Sequence, residues 1–455
     1  MAVVFSSIPF ICAFLPVVFL IYLALPGVKS KNIFLIAVSL FFYAIGESMY
    51  VFLMIGCVLW NYLAALIMSR AENGTKKKLF LAVCVGVDLI ILAIFKYSGL
   101  VMALPIGISF YTFQAISYVA DVYKGKLPAE VKFGRIMLYI SFFPQLIAGP
   151  IVRYQDIADD IKKRRITQDS VSSGLRLFIV GLSKKVLISD NVGQLADYVY
   201  ALSDASLSLP VAWMGAVAYT LQIYFDFSGY SDMAVGLGRM FGFHLPRNFN
   251  YPYIADSMLS FWKRWHITLT DWFREYLYIP LGGNRKGKIR TLLNRMIIFT
   301  CVGIWHGAGL TFLVWGVYHG LLTVLEVLFP NMIRKMGILR HVYTLAAVII
   351  GFVIFRADNI GQAAGIIGHM FVPVAIDAER MAALMAPLDA VTITSILAGV
   401  IASTPVLRVI SERIKASGMG NRFEACAYAL SVPMLVLCIM SLAGNGYHPF
   451  IYFRF

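Results

Sequence analysis

Charged residues are scarce in this chain. Asp, Glu, Lys and Arg together make up 14% of its 455 residues, against about 25% in average soluble domains. Hydrophobic residues make up 60%. This balance excludes a disordered chain, a collagen-like chain and an ordinary soluble enzyme. Because apolar stretches of about 18 residues or more recur along the chain, the composition predicts a polytopic membrane protein.

Cysteine is too sparse and too scattered to build a framework. The chain has six cysteines, all in or beside apolar segments, and none forms a C-x-x-C pair or a zinc-ligand spacing. We therefore predict buried thiols rather than disulfides, and no metal site.

Acidic residues are fewer than basic ones, 24 against 39, which gives a formal net charge of +15. In a soluble protein this excess would indicate nucleic-acid binding. In a membrane protein it indicates the cytoplasmic loops, where basic residues accumulate. We therefore expect membrane lipids as partners and no nucleic acid.

Seven clusters between the apolar runs hold 32 of the 39 basic residues. Placing every cluster in the cytoplasm puts both termini outside and leaves the base-free segment 190–208 on the outer side. Because one orientation satisfies all clusters, we predict a multi-pass protein of the cell (inner or plasma) membrane. The clusters cover residues 29–31, 70–78, 124–135, 153–165, 239–295, 334–340 and 408–422.

The apolar runs predict an all-α fold with about 11–12 transmembrane helices. Run 136–152 has basic clusters on both sides and contains Pro144, Gly149 and Pro150, which break helices. We therefore predict that it is a re-entrant element, and that 358–373 forms another. The expected organisation is a single membrane-embedded domain over 1–455, with N-terminal helices in 1–135, a catalytic region in 142–329 and C-terminal helices in 330–455.

The densest block of aromatic and charged residues is FWKRWHITLTDWFREYLYIPLGGNR, residues 261–285. Placed on one helix, 261–277 has an aromatic face and a charged face, and His266 lies at the edge of the aromatic face. One interpretation is an interfacial helix with tryptophans at the level of the lipid headgroups, in which His266 is structural. The other is a functional histidine that points into the protein.

A Gly-Gly turn and a run of basic residues follow this block. Backbone N–H groups and guanidinium groups both suit phosphate, so Arg285 and Lys286 are predicted to bind an anionic ligand such as coenzyme A. The alternative is the ordinary positive charge of a cytoplasmic loop, or a site for anionic lipid. No Walker A pattern occurs, so nucleotide hydrolysis is not expected. The basic residues of the run are Arg285, Lys286, Lys288, Arg290 and Arg295.

His306 is an ionisable residue inside the uncharged apolar stretch that follows Arg295. Such a residue at membrane depth is costly and indicates function, and imidazole suits proton transfer near neutral pH. Flanking glycines would let a ligand or another backbone approach it closely. The alternative is a histidine hydrogen-bonded between helices. His319 could join a metal site, but no Asp, Glu or Cys lies at a ligand spacing, so none is expected.

Six motifs, read together, identify a family. They are FFPQLIAGPIVRY (142–154), FDFSGYSDMAVGLGRMFGF (225–243), NFNYPY (248–253), the block 261–285, GIWHGA (303–308) and the terminal FIYFRF (450–455). With these motifs in this order, the chain resembles the membrane-bound O-acyltransferase (MBOAT) family, in the bacterial branch typified by the membrane subunit of alginate O-acetyltransferase. The N-terminal third is similar in hydropathy only.

The resemblance implies a ring of helices around a central tunnel. It also implies an acyltransferase whose family histidine is His306, with His266 at the second polar position. Acetyl-CoA is the implied donor substrate, an acyl carrier is the alternative donor, and no cofactor is expected to be tightly bound. Four residues are predicted to contact the donor: Arg285, Lys286, Trp265 and Trp305.

In the implied reaction, His306 takes a proton from an acceptor hydroxyl, which attacks the thioester, while His266 binds or orients the thioester carbonyl. The acyl group would cross the membrane to O-acetylate an extracellular or cell-wall polysaccharide, through an extracytoplasmic esterase-like partner. Two alternatives stay open: D-alanyl transfer from a carrier protein to a cell-wall polymer, and a polysaccharide or lipid transporter. Transporters often carry two-fold repeats, whereas the block 261–285 and the His306 segment each occur once.

Overall fold

The computed structural model describes residues 4–98, 104–445 and 450–451. These residues form helices joined by turns, and no strand occurs among them. The predicted all-α class is therefore confirmed. Of the terminal motif 450–455, only Phe450 and Ile451 fall within the described residues.

Six helices are long and apolar enough to cross a membrane, which confirms a polytopic membrane protein. A bent pair, Ala378–Met385 and Ala390–Ala402, with 67° between its helices, would make a seventh span. The other predicted runs lie on shorter or more polar helices, so fewer spans meet this test than the 11–12 expected. The central tunnel stays a prediction. The six are Gly27–Gly46, Tyr50–Arg70, Gly74–Tyr97, Leu310–Leu328, Leu339–Arg356 and Val406–Gly444.

The chain divides into two compact units, and the first comprises Met1–Gly181 and Tyr230–Arg247. An aromatic cluster forms part of its core: the ring centroid of Phe42 lies 5.9 Å from that of Phe10 and 5.6 Å from that of Phe143. Its helices are Phe10–Phe14, Leu15–Ala24, Gly27–Gly46, Tyr50–Arg70, Gly74–Tyr97, Ile108–Tyr123, Phe133–Ser141, Phe143–Leu146, Tyr154–Lys162 and most of Gln168–Ser183.

The predicted re-entrant element 136–152 has a broken backbone, as its prolines and glycine require. It consists of the end of Phe133–Ser141, the single turn Phe143–Leu146 and a stretch without helix. All of its residues are buried, in agreement with the rule that irregular backbone at membrane depth is covered by protein. By contrast, 358–373 contains one unbroken helix, Ile360–Phe371, whose first turn is capped by the side chain of Asn359.

The second unit comprises Leu182–Gly229 and Asn248–Phe455 and contains both predicted catalytic histidines. Helix Leu209–Met240 contributes its first part to this unit. The proposed division into 1–135, 142–329 and 330–455 stays a prediction. The remaining helices are Lys184–Ser189, Asp190–Ala201, Asp204–Ser206, Pro252–Ile254, Met258–Trp262, Ile267–Phe273, Arg274–Tyr278, Lys288–His306, Leu310–Leu328, Pro330–Lys335, Leu339–Arg356, Ile360–Phe371, Ala378–Met385, Ala390–Ala402, Val406–Ile414, Lys415–Met419 and Gly420–Asn445.

Candidate active site

The block around His266 is broken, so the prediction of one amphipathic helix over 261–277 is wrong. Helix Met258–Trp262 ends before Lys263, and Ile267–Phe273 starts a new helix. His266 lies between them with φ 44°, in the left-handed region that non-glycine residues seldom adopt. A backbone held there must be fixed by its surroundings.

The segment that holds this break is NFNYPY. The N–H of Asn250 donates to the carbonyl of Arg264, and the N–H of Ile267 donates to the carbonyl of Asn248, both at 2.9 Å. The side-chain oxygen of Asn248 also accepts from the N–H and the hydroxyl of Thr268, at 3.2 and 3.0 Å. These bonds replace the ones that a continuous helix would make, and they hold the backbone on both sides of His266.

His266 is a buried, neutral imidazole. Its ring is 1% exposed, and burial lowers its pKa to about 3. Nδ1 lies 3.3 Å from the oxygen of Asn248, which already accepts from Thr268. Because that oxygen can only accept, Nδ1 carries the proton and Nε2 is an acceptor. In this form, His266 can bind an N–H or O–H group through Nε2.

His306 is the last residue of helix Lys288–His306 and is 4% exposed. Aromatic rings surround it: its centroid lies 4.8 Å from that of Trp305 and 5.1 Å from those of both Trp315 and Phe355. Three surrounding rings restrict how far the imidazole can reorient. The expected burial of this histidine in an apolar environment is confirmed.

Glycines on the helix of His306 and on the helix that follows it permit a close helix crossing. A Cβ on Gly303 would lie 2.5 Å from the carbonyl oxygen of Phe312, and one on Gly316 would lie 2.4 Å from that of Phe299. Helices Lys288–His306 and Leu310–Leu328 therefore pack backbone to backbone at this point. The crossing fixes His306 relative to the helix that follows.

The ring of Trp305 is near both histidines. Its ring centroid is 6.2 Å from that of His266 and 4.8 Å from that of His306. The structure thus brings three of the predicted site residues together. Trp265 instead packs on Phe249 and Phe352, with centroids at 5.1 Å in both cases, which are the contacts of a core residue.

Arg285 and Lys286 are exposed on a turn that ends where helix Lys288–His306 begins. Gly282, Gly283 and Gly287 have φ of 106°, 53° and 87°, which explains the glycines of this motif. The turn lies one helix length from His306. Nineteen residues at 1.5 Å per residue span about 27 Å.

A cavity of about 310 Å³ lies in the second unit, one side chain away from His306, which does not itself line it. Phe355 belongs to its lining and also contacts the imidazole, with ring centroids at 5.1 Å. The rest of the lining is mostly polar, which distinguishes the cavity from an apolar lipid site. The polar lining includes Lys185, Asp190, Gln194, Asp197, Gln222, Thr311, Arg356 and Asp358.

The sequence matches a model of the MBOAT, membrane-bound O-acyltransferase family, over residues 129–360. The chain belongs to this family. It is 37% identical to the probable alginate O-acetylase AlgI of Pseudomonas putida, over 99% of this chain and 100% of that protein. It is also 36% identical to the peptidoglycan O-acetyltransferase of Helicobacter pylori, over 80% and 79%, and 28% identical to the teichoic acid D-alanyltransferase of Bacillus subtilis, over 55% and 68%.

This MBOAT protein is therefore an acyltransferase, and its helices make it a multi-pass membrane protein. Within the residues described, no three His, Cys, Asp or Glu side chains are grouped as metal ligands. His319 contacts aromatic rings instead, with centroids 5.2 Å from Trp262 and 4.9 Å from Trp315. The assignment of His306, His266 and the four donor-contact residues stays a prediction.

The sequence did not predict one feature of the MBOAT protein, a buried triad of charged residues. Lys185 Nζ lies 2.6 Å from Asp190 Oδ1 and 2.7 Å from Asp226 Oδ1. The N–H of Ile451 donates to Asp226 Oδ2 at 2.8 Å. Asp226 lies in the motif 225–243, which does not indicate the basic residue that pairs with it. Lys185 lies in an apolar stretch of the sequence, residues 175–189, so the signal that singled out His306 also applied to it.

Proposed function

We propose that the protein transfers acetyl from cytoplasmic acetyl-CoA to a hydroxyl acceptor on the outer side of the cell membrane, for O-acetylation of an extracellular or cell-wall polysaccharide. The observation that carries the proposal is the arrangement along helix Lys288–His306. A cationic turn lies at one end, and at the other lies an imidazole that contacts Phe355, a residue of the polar cavity. The two substrates of a transfer reaction would then meet at His306.

The turn suits the polyanionic part of a donor. Arg285 and Lys286 are exposed, and they precede a helix N-terminus, where the helix dipole favours negative charge. The basic residues also favour a cytoplasmic location for this turn, where acetyl-CoA would be available. The acyl end of the donor would extend along the helix towards His306, which lies about 27 Å from the start of the helix.

The cavity suits the acceptor. Its lining includes Asp190 and Asp197, which belong to the segment 190–208 that is predicted to lie outside. His306 removes the proton of the acceptor hydroxyl, whose oxygen forms a bond to the acyl carbon as the carbon–sulfur bond breaks. The thiolate leaves and takes up the proton. A positioned base of this kind contributes about 10²–10⁴ in rate.

His266 would bind substrate at the same site. As an acceptor at Nε2, it would bind an N–H or O–H of a substrate near Trp305 and so orient the reacting groups. The final polymer would receive the acyl group through an extracytoplasmic esterase-like partner. The relatives' names, alginate O-acetylase and peptidoglycan O-acetyltransferase, support a polysaccharide as the end product.

Inside-out membrane vesicles test the proposal, because their cytoplasmic face is exposed to an impermeant donor. Labelled acetyl-CoA added outside should deliver acetyl to lumenal acceptors, whereas right-side-out vesicles should transfer none. The His306→Gln protein is the matched control and should transfer none in either orientation. Transfer from a D-alanyl carrier protein but not from acetyl-CoA would replace acetyl by D-alanyl, the activity in the name of the Bacillus subtilis relative.

A further inference from the structure

The charges around the cavity near His306 form two groups of the same composition. In the first, Lys185 lies between Asp190 and Asp226, at 2.6 and 2.7 Å. In the second, the guanidinium nitrogens of Arg356 lie 2.7 Å from Asp197 Oδ1 and 3.9 Å from Asp358 Oδ1. Each group therefore pairs one cation with two carboxylates and carries one negative charge in excess.

Burial separates the roles of the two groups. The side chain of Lys185 is 5% exposed and that of Asp226 is 1% exposed, so the first group is part of the wall. Asp197 and Asp358 are 54% and 77% exposed, so the second group faces any molecule that enters. A cleft lined by one excess sign of charge concentrates ions of the opposite sign and repels ions of the same sign.

We propose that this cavity selects its acceptor by charge, admitting neutral or cationic hydroxyl-bearing groups and excluding anionic ones, with Asp197 and Asp358 as specificity-determining residues. The inference rests on the proposed function, in which the cavity receives the acceptor. Its consequence is a step in the reaction sequence. An anionic polysaccharide is then disfavoured as the group acylated at His306, and a neutral hydroxyl carrier is acylated there and passes the acyl group on outside.

Thiol labelling measures this selectivity without acyl transfer. Gln194 lines the cavity and is exposed, so Gln194→Cys provides a reporter thiol. The purified full-length protein in nanodiscs is treated with a cationic trimethylammonium or an anionic sulfonate methanethiosulfonate, and the modification of residue 194 is followed by peptide mass spectrometry. Both reagents react with the same thiolate, so the ratio of their rates cancels any change in its reactivity.

We expect the cation-to-anion rate ratio to exceed that of free 2-mercaptoethanol by about tenfold. Asp197→Asn and Asp358→Asn should each lower the ratio by about threefold. Asp377→Asn is the control, because Asp377 is an exposed carboxylate that does not line the cavity. It should leave the ratio unchanged.

A ratio equal to that of the free thiol, or a ratio that responds to Asp377→Asn as much as to Asp358→Asn, would overturn the charge selection. Because Asp358 is mostly exposed, its substitution tests the inference without threatening the fold. The readout needs no donor. If the labelling shows no charge selection, acyl transfer at His306 is unaffected as a proposal. If the vesicles show no transfer, the labelling still measures the charge selectivity of the cavity.

Discussion

At the scale of single residues, His306 decides whether the chemistry proposed here is correct. Glutamine and asparagine can form hydrogen bonds at this position, but neither accepts a proton at neutral pH. If His306 is the general base, His306→Gln, His306→Asn and His306→Ala should all insert and bind donor normally, and turnover should fall by about 10²–10⁴. Acyl transfer and donor binding are measured on the same purified protein. His266→Gln, as the comparison, should lose less, since orientation is a less absolute requirement.

A structural His306 would behave differently. His306→Gln and His306→Asn would then keep much of the activity, while His306→Ala would lose stability by opening space among Trp305, Trp315 and Phe355. Near wild-type transfer by His306→Gln would remove the proposed mechanism, whatever the family.

The residues also show where sequence reasoning ends. An isolated imidazole in an apolar stretch identified His306, because burying an ionisable group needs a reason. The break at His266 could not be read from the block itself. It depends on hydrogen bonds with Asn248 and Asn250. The periodicity of residues 261–277 does not show that another segment binds them.

At the scale of helices, the crossing at Gly303 should be sensitive to a single methyl group. Gly303→Ala would place a Cβ 2.5 Å from the carbonyl oxygen of Phe312, so the helices must move apart. We expect the free energy of unfolding to fall by about 1–3 kcal/mol. Turnover should also fall, because His306 shifts. Thermal unfolding in detergent measures the stability.

The control for this substitution is another helical glycine, Gly368, where an added Cβ meets nothing within 4 Å. Gly368→Ala should be neutral or stabilising by up to about 1 kcal/mol, because alanine is the better helix former. If both substitutions had the same effect, helix propensity rather than the crossing would explain the result.

The turn before helix Lys288–His306 should affect donor binding more than chemistry. Replacing Arg285 and Lys286 by Gln removes binding that the ground state and the transition state share, so KM for the donor should rise more than kcat falls. Steady-state kinetics at varied acetyl-CoA measures both. An unchanged KM in a well-expressed protein would reduce the turn to a signal for membrane orientation.

At the scale of the whole molecule, the basic clusters predict which parts face the cytoplasm. Single cysteines introduced in 70–78, 153–165 and 408–422 should resist an impermeant thiol reagent in intact cells, and cysteines in 190–208 should react. The reason is the accumulation of basic residues on the cytoplasmic side. Strong labelling at 70–78 would reverse the orientation and place the donor turn on the wrong side.

The sequence predicted the class of the fold well, because long apolar runs leave few alternatives. It was less informative about individual spans. Run 175–189 contains Lys184 and Lys185 and is divided between two helices, and a hydropathy pattern does not show that Lys185 is neutralised by a carboxylate from helix Leu209–Met240.

The length of helix Lys288–His306 makes the protein sensitive to the length of the donor molecule. The two ends of the helix lie about 27 Å apart, so a donor can use both the cationic turn and the imidazole only if a long arm separates its phosphates from its acyl carbon. Acetyl phosphate, in which the two are adjacent, should therefore give no transfer at concentrations where acetyl-CoA reacts. Acetylpantetheine, which keeps the arm and lacks the nucleotide, should react with a KM that Arg285→Gln no longer changes. The protein would then select its donor by the length of the arm and only weakly by the acyl group.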